Sequence, residues 1–373
     1  MADIFKKKLL GDICNMRYGK MPKKEDLVDS GGYPIFTGYL ISGYHKDYMF
    51  KEPEIIVVAR GIGGAGDIKI SPPNSWITNI SIAMQVHDCE VDKSYLYWKL
   101  CSSGLRHLRT GSAQPQIIIA DLKKHVVELP PLPVQRKIAA ILSTYDDLIE
   151  NNLRRIKILE EMAQNLYREW FVNFRFPVHE NARFVDSHLG RIPEGWEIKK
   201  LKDVLELKYG KALKKADRLG GDVPVYGSSG IVGFHNNYLV QGPGIIVGRK
   251  GNVGSVYWSN EDFYPIDTVY YVSSTLPLRF LYYELQNKNF INNDAAVPGL
   301  NRNQAYSLEL VVPTDDVLAK FCRIADDFER QAYILEKKNQ VLRQTRDLLL
   351  PKLISGEVDV SELDINVPEE VAI

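Results

Sequence analysis

Cysteine is scarce: Cys14, Cys89, Cys101 and Cys322 are the four among 373 residues, and no two form a C-x-x-C pair. Neither a disulfide framework nor a zinc cluster is signalled, and none of the four is assigned any chemistry. Seven histidines include no H-x-x-x-H spacing, so no metal site is expected. Long hydrophobic runs are missing as well. Stretches such as Ile55–Ala59 and Ile117–Ala120 fall far short of the roughly 20 apolar residues a membrane span needs, which excludes a transmembrane class. Lys6, Lys7 and Lys8 stand before only two leucines, so the apolar core of a signal peptide is absent and a cytoplasmic location is expected. No G-x-x-x-x-G-K-[ST] occurs, which excludes an ATP-driven motor within this chain. An excess of one charge is also lacking, with 47 basic against 47 acidic side chains.

Counted by segment, the balance is uneven. Residues 1–130 hold 17 basic and 14 acidic groups, residues 181–313 hold 15 and 13, and residues 314–373 hold 8 and 13. The two larger segments are slightly basic and the end is acidic, which permits DNA binding without demonstrating it.

The dominant feature is an internal repeat. Tyr18-Gly19-Lys20 recurs as Tyr209-Gly210-Lys211, and Pro34-Ile35-Phe36 as Pro224-Val225-Tyr226. Gly43-Tyr44-His45 with Tyr48 returns as Gly233-Phe234-His235 with Tyr238, and Ile55-Ile56-Val57 with Arg60-Gly61 as Ile245-Ile246-Val247 with Lys250-Gly251. The offset drifts in one direction, from 191 near the start to 183 between Pro130 and Pro313, as duplication with small deletions produces. A repeat of this size is a duplicated domain and not a solenoid unit.

Each copy has short β-like runs broken by Gly, Pro and Asn, followed by one long helical pattern. The first helix is predicted from about Pro133 to Phe171, with Leu142, Tyr145, Ile149, Leu153, Ile156, Leu159, Ala163, Leu166 and Trp170 forming one stripe. The second is predicted over Asp315–Leu350, with Ile334, Val341, Leu348 and Leu335, Leu342, Leu349 as a heptad seam. Such stripes outrun the width of a small domain, so the helices are expected to pack on each other. The expected fold is α+β: two pseudo-twofold-related β-rich domains separated by a pair of long antiparallel coiled-coil helices.

Two motifs suggest enzymes and fail on context. Gly61-Ile62-Gly63-Gly64-Ala65-Gly66 fits G-x-G-x-x-G, but Asp67–Trp76 contains Pro72-Pro73 and no helical period, so a dinucleotide site is not supported. Ser71-Pro72-Pro73-Asn74 is like the motif with which amino-methyltransferases hold a flipped adenine, yet Asn74 stands where the stacking aromatic is needed. No catalytic residue and no cofactor is assigned.

What remains is binding chemistry. Lys20, Lys23 and Lys24 match Lys211, Lys214 and Lys215, a repeated basic loop suited to phosphates. Arg60-Gly61 and Lys250-Gly251 place one cation at a strand end, where arginine can fork onto guanine and lysine cannot do so with the same geometry. Gln114 and Gln116 in copy one, and Asn301, Arg302, Asn303 and Gln304 in copy two, lie in amide-rich loops at corresponding places. Amides can read adenine, and these loops differ between copies as two unlike half-sites require. His45 and His235 recur without ligand partners and are either structural or DNA-facing.

Over roughly Leu9–Val360 the chain resembles the specificity subunit of Type I restriction-modification systems. The most specific residues are Leu166–Pro177 (LYREWFVNFRFP), Leu189–Trp196 (LGRIPEGW) and Leu348–Val358 (LLLPKLISGEV), with Pro130–Gln135 before the first helix. The resemblance implies target recognition domains at 1–132 and 173–313 (the latter with its linker), conserved spacer helices at 133–172 and 314–355, and an acidic tail at 356–373. It implies a non-catalytic subunit that reads a bipartite asymmetric site on double-stranded DNA. Its implied partners are two methyltransferase subunits that methylate an adenine in each half-site and restriction subunits that act as motor-nucleases. A stand-alone methyltransferase or fused restriction enzyme, and a coiled-coil adaptor without specific DNA binding, are the alternatives. Phe5 stands where the repeat places Trp196, so the first copy is entered differently, and the tail, with six acids between Glu357 and Glu370, is expected to be solvated and mobile.

Overall fold

The computed structural model describes residues 5–61, 64–111, 114–290 and 299–367. The chain forms two compact units, residues 1–153 with 337–373, and residues 154–336. Strands and helices are mixed in both.

In the first unit, β-branched and aliphatic runs supply an antiparallel four-stranded sheet in the order Cys14–Tyr18, Ser81–Val86, Ile55–Val58, Ile68–Ile70. Ile55–Val58 is buried on both faces, as its uninterrupted apolar sequence requires. A second sheet runs Leu27–Val28, Ile41–His45, Tyr33–Phe36, Trp76–Ile77, its last pair parallel. The second unit repeats this plan with Leu205–Tyr209, Val269–Ser274, Gly244–Gly248 and Val256–Ser259 in one sheet, and Gly230–His235, Val223–Gly227 and Tyr264–Pro265 in the other. Both second sheets shift register at the matched place, Pro34/Phe36 and Val225/Tyr226. In each copy the chain enters and leaves on neighbouring strands: Lys6–Leu9 pairs with Val126–Leu129, and Glu197–Lys200 with Glu309–Val312.

The long helices span Leu132–Tyr167, which passes into a π turn at Arg168–Val172, and Asp315–Ser355, which continues through Pro351 beyond the expected end at Leu350. In the first unit Ile138, Ala139 and Leu142 share a core with Leu353, Ile354 and Val360, while Asp146 pairs with Arg346 and Asn152 with Asn339. In the second, Ala163 and Tyr167 share a core with Leu318, Phe321 and Ala325. Arg346 also lies over the Trp98 ring, and Arg279 over Trp258 while pairing with Asp326 and Glu329, so a guanidinium ties β-rich part to helix in each unit.

The expected seam is corrected in one of its two lines. Leu335 is buried and Leu342 and Leu349 are half-buried, but Ile334, Val341 and Leu348 are 46%, 61% and 70% exposed. The inward line is Leu318, Ala325, Ala332, Asn339, Arg346 and Leu353, also spaced by seven. Two of its members are polar, which is why an apolar pattern passes over it. Likewise Asn152 is buried where Leu153 was expected, and Leu153 is 47% exposed. The tail is corrected too: Val360 is buried, and Lys137 Nζ donates to Ser361 O at 2.7 Å and Leu363 O at 2.8 Å. Glu357, Asp359, Glu362 and Asp364 stay exposed while Val358, Val360 and Ile365 face the core, and the acids Glu369 and Glu370 lie outside the described residues. Phe5 lies against Gly356, whereas Trp196 sits in a cluster with Phe171, Phe174 and Phe176.

Asn152 Nδ2 donates to Asn339 Oδ1 at 2.9 Å, and Asn339 Nδ2 to the Ile149 carbonyl at 3.4 Å. Asn339→Leu strands the Asn152 amide in an apolar setting and is expected to cost about 1–3 kcal/mol; the double leucine variant should recover part of it, because both polar partners are then gone. Urea denaturation of the purified variants checks this, and an unaltered Asn339→Leu midpoint would contradict it.

Candidate nucleic-acid interface

In the first unit the Tyr-Gly-Lys turn closes the strand Cys14–Tyr18. Gly19 N donates to Ser81 O at 3.0 Å, Lys20 N to Ile77 O at 2.8 Å, and Trp76 Nε1 to Lys20 O at 2.8 Å. Arg60 follows the strand Ile55–Val58, two places along the same sheet, and forms a backbone bridge with Gln116, which also pairs with Thr110. Ile117 N donates to Ala59 O at 2.8 Å, and Ile119 N to the Tyr18 hydroxyl at 3.3 Å. Lys20, Arg60, Gly61, Gln114 and Gln116 are all exposed, on three segments that these bonds bring together. Ser112 and Ala113 of the amide loop lie outside the described residues.

The second unit assembles the matched segments with different side chains. Gly210 N donates to Val269 O at 3.2 Å and Lys211 N to Pro265 O at 2.9 Å. Lys250 bridges Gly299, and Leu300 N donates to Arg249 O at 2.8 Å. The Tyr209 ring has two guanidinium groups over it, Arg249 and Arg302, each 5.2 Å from its centroid. Arg249 is fixed by Nη2 donating to Asp267 O at 2.7 Å. Burial pushes the neighbouring Tyr270 hydroxyl up to about 12, helped by its hydrogen bond with Tyr209, while Arg249 and Arg302 pull it down. Neither Arg249 nor Tyr209 was expected to contact DNA, although Tyr209 opens the repeated Tyr-Gly-Lys turn. Arg249 corresponds to Ala59 in copy one, so comparing copies passes over it, and the only signal was its place beside Lys250.

Other expected residues lie apart. Lys23 and Lys24, and Lys214 and Lys215, sit at separate three-residue turns, Lys24–Asp26 and Lys215–Asp217; all four are exposed, and Lys23 pairs with Glu25 at 3.5 Å. Asn301 caps the helix Arg302–Ser307, its Oδ1 accepting from Asn303 N at 2.9 Å and Gln304 N at 3.4 Å. Its carbonyl is thereby occupied, while Asn303 and Gln304 are exposed beside it. His45 and His235 are buried, the former stacked on Trp76 and the latter edge-on to Tyr264, so both are structural. Ser71 is buried with its hydroxyl accepting from Glu54 N at 2.9 Å, which makes the Ser-Pro-Pro motif a packed turn. The glycine-rich loop is shaped by close approach: a Cβ on Gly64 would lie 1.9 Å from the Tyr39 hydroxyl. Among the described residues no three His, Cys, Asp or Glu side chains are placed to hold a metal, and no helix is long and apolar enough to cross a membrane.

Exposed cations and amides on loops at the ends of a sheet suit phosphates and base edges. The family model of the Type I restriction modification DNA specificity domain matches residues 3–161 and again 193–344. The chain belongs to this family. As a specificity subunit it recognises DNA sequence and does no chemistry of its own. It is similar to the Type I restriction enzyme MjaIX specificity subunit of Methanocaldococcus jannaschii, 26% identical over 317 residues that cover 73% of this chain and 71% of that one. It is also similar to the HindI specificity subunit of Haemophilus influenzae, at 22% over 331 residues, 65% of this chain and 71% of the relative. In fold it matches the crystal structure of the Type I restriction-modification S subunit from M. genitalium, with a TM-score of 0.64, 20% identity, and 94% and 96% of the two chains covered.

Proposed function

We propose that each β-rich part of this specificity subunit, residues 1–132 and 173–313, reads one half of a bipartite, asymmetric DNA target. What carries this reading is the repeated convergence of a Tyr-Gly-Lys turn, a strand-end cation and a polar loop, built with unlike side chains in the two copies. Lys20, Lys23, Lys24, Lys211, Lys214 and Lys215 supply phosphate contacts, which set register on the duplex. Arg60, Gln114 and Gln116 in one copy, and Lys250, Arg302, Asn303 and Gln304 in the other, supply the side chains that differ between half-sites. Gly61 and Gly251 let the backbone approach the DNA, and Asn301 shapes its loop as a cap.

The helices Leu132–Tyr167 and Asp315–Ser355 form an antiparallel coiled-coil pair in this reading. At about 1.5 Å per residue, each is long enough to hold two modules apart across several unread base pairs. Exposed apolar side chains on the helices, Leu148, Leu153, Val341 and Leu348 in the first unit and Ile158, Met162 and Ile334 in the second, are what the helices offer to the methyltransferase subunits. Two such subunits would flip and methylate an adenine in each half-site, and restriction subunits would cut unmodified DNA.

Sequencing with methylation detection tests this in a methylation-free host expressing the chain with its methyltransferase, against a control lacking only the chain. A new N6-methyladenine motif split into two unlike halves is expected. A continuous motif, or none with both proteins soluble and associated, would contradict the reading.

A further inference from the structure

In the first unit the turn Thr37–Ile41, which joins the strands Tyr33–Phe36 and Ile41–His45, is tied to the loop that carries Arg60. Tyr39 Oη donates to Asp67 Oδ2 at 2.7 Å and to Gly64 O at 3.2 Å. Arg106 closes on the same carboxylate from a third segment, Nη2 at 2.9 Å and Nε at 3.2 Å from Oδ1, and Arg109 Nε donates to Ala65 O at 2.5 Å. Partial burial pushes the Asp67 carboxyl up, but the bonds from Tyr39 and Arg106 outweigh it and hold the group below its ordinary value, so it accepts as a carboxylate.

At the repeat offset of 190, Tyr39 corresponds to Ser229 and Asp67 to Tyr257, so none of these bonds can be made with the same groups in copy two. The tie is nevertheless present. Tyr257 Oη donates to Ser228 O at 3.2 Å, and Ser255 Oγ donates to Ser228 O at 2.9 Å and Asn252 O at 2.8 Å. The tyrosine has changed sides: in copy one it reaches from the hairpin turn to the glycine loop, in copy two from the far side of the glycine loop to the hairpin turn. A link kept through a swap of donor and acceptor serves the link itself. One version is charged and one neutral, so the two loops are held by chemically independent devices.

The geometry points to two latches, Tyr39–Asp67–Arg106 and Tyr257–Ser228–Ser255, as positioning residues that aim the cation-bearing loops of Arg60 and Lys250 at their respective half-sites. This rests on the DNA-reading role proposed above. None of the six was among the residues expected to touch DNA. The latches act by removing alternative placements of a glycine-rich loop, which would otherwise blur a contact whose value depends on angle and distance.

The test uses the full chain with its methyltransferase and reads the methylated motif genome-wide, together with the thermal midpoint of each variant. The second half is identified as the one that changes when residues 198–312 are exchanged. Tyr39→Phe and Arg106→Gln should each lower discrimination on the order of 10-fold at one or more positions of the first half, leaving the second half and the midpoint unaltered. Tyr257→Phe should do the reverse. Unchanged motifs in the tyrosine variants would overturn the inference, as would loss of both halves together, which marks a general effect on folding. Relaxation by Tyr39→Phe with Arg106→Gln silent would place Tyr39 itself on DNA and also overturn it. A wild-type chain that directs no split motif would instead remove the recognition role underneath.

Discussion

Exchange of residues 198–312 for the matching segment of another specificity subunit should rewrite one half of the methylated motif and leave the other half and the spacer unchanged. The cut points support such an exchange because they lie side by side, Ile198 opposite Val311 on paired antiparallel strands. The incoming segment must keep the surface that meets the second long helix within its unit. There Arg279 pairs with Asp326 and Glu329, Tyr283 donates to Glu329, and Phe280 packs in the same core as Phe321. Each mismatched base pair costs roughly 1–3 kcal/mol, so a three-position half-site would change preference by on the order of 10²-fold at the least. Methylation sequencing of the chimera reads the result. Altered specification of both halves would contradict modular reading, and an altered spacer would contradict helices that act as the ruler.

Gly210→Ala should give the largest loss of stability among single substitutions in the interface. A Cβ there would lie 2.1 Å from Ile266 O and 2.5 Å from Pro265 O, and Gly19 meets the same obstacle at 2.3 Å from Ile77 O and Thr78 O. The obstructing atoms are backbone carbonyls at a strand end and the residue after it, Ile266 O held by Val269 N and Pro265 O by Lys211 N, and they cannot swing aside as a long side chain would. Overpacking of this kind costs about 3 kcal/mol or more, which in a unit of this size lowers the midpoint by roughly 6–12 °C. Gly104→Ala is the control: its φ of +65° and ψ of 155° favour glycine but nothing lies within 4 Å of the new Cβ, so the backbone strain alone costs about 1–3 kcal/mol. Calorimetry of the two variants decides it. A loss at Gly210 no larger than that at Gly104 would mean that close approach does not explain the repeated glycine, since neither Gly19 nor Gly210 has a left-handed φ.

The amino-acid sequence determined the duplication, the two long helices, the alternation of β-rich and helical parts, and the turn Tyr18–Lys20 with its twin Tyr209–Lys211. These are local or periodic properties: a helix shows its period, a buried strand its unbroken aliphatic run, and a duplicated domain its collinear matches. The tertiary structure alone decided which polar residues of those elements face inward and which loops meet. Asn152, Asn339 and Arg346 occupy inward positions because each finds a polar partner across the helices of its unit, and that partner is some 190–200 residues away in the chain. Tertiary contact also decides, over shorter separations, the placing of Tyr209 beneath Arg249 and Arg302 and the latches at Tyr39 and Tyr257. A polar side chain carries no period that announces its partner, so its role is legible only once folding has brought the second group within hydrogen-bond distance.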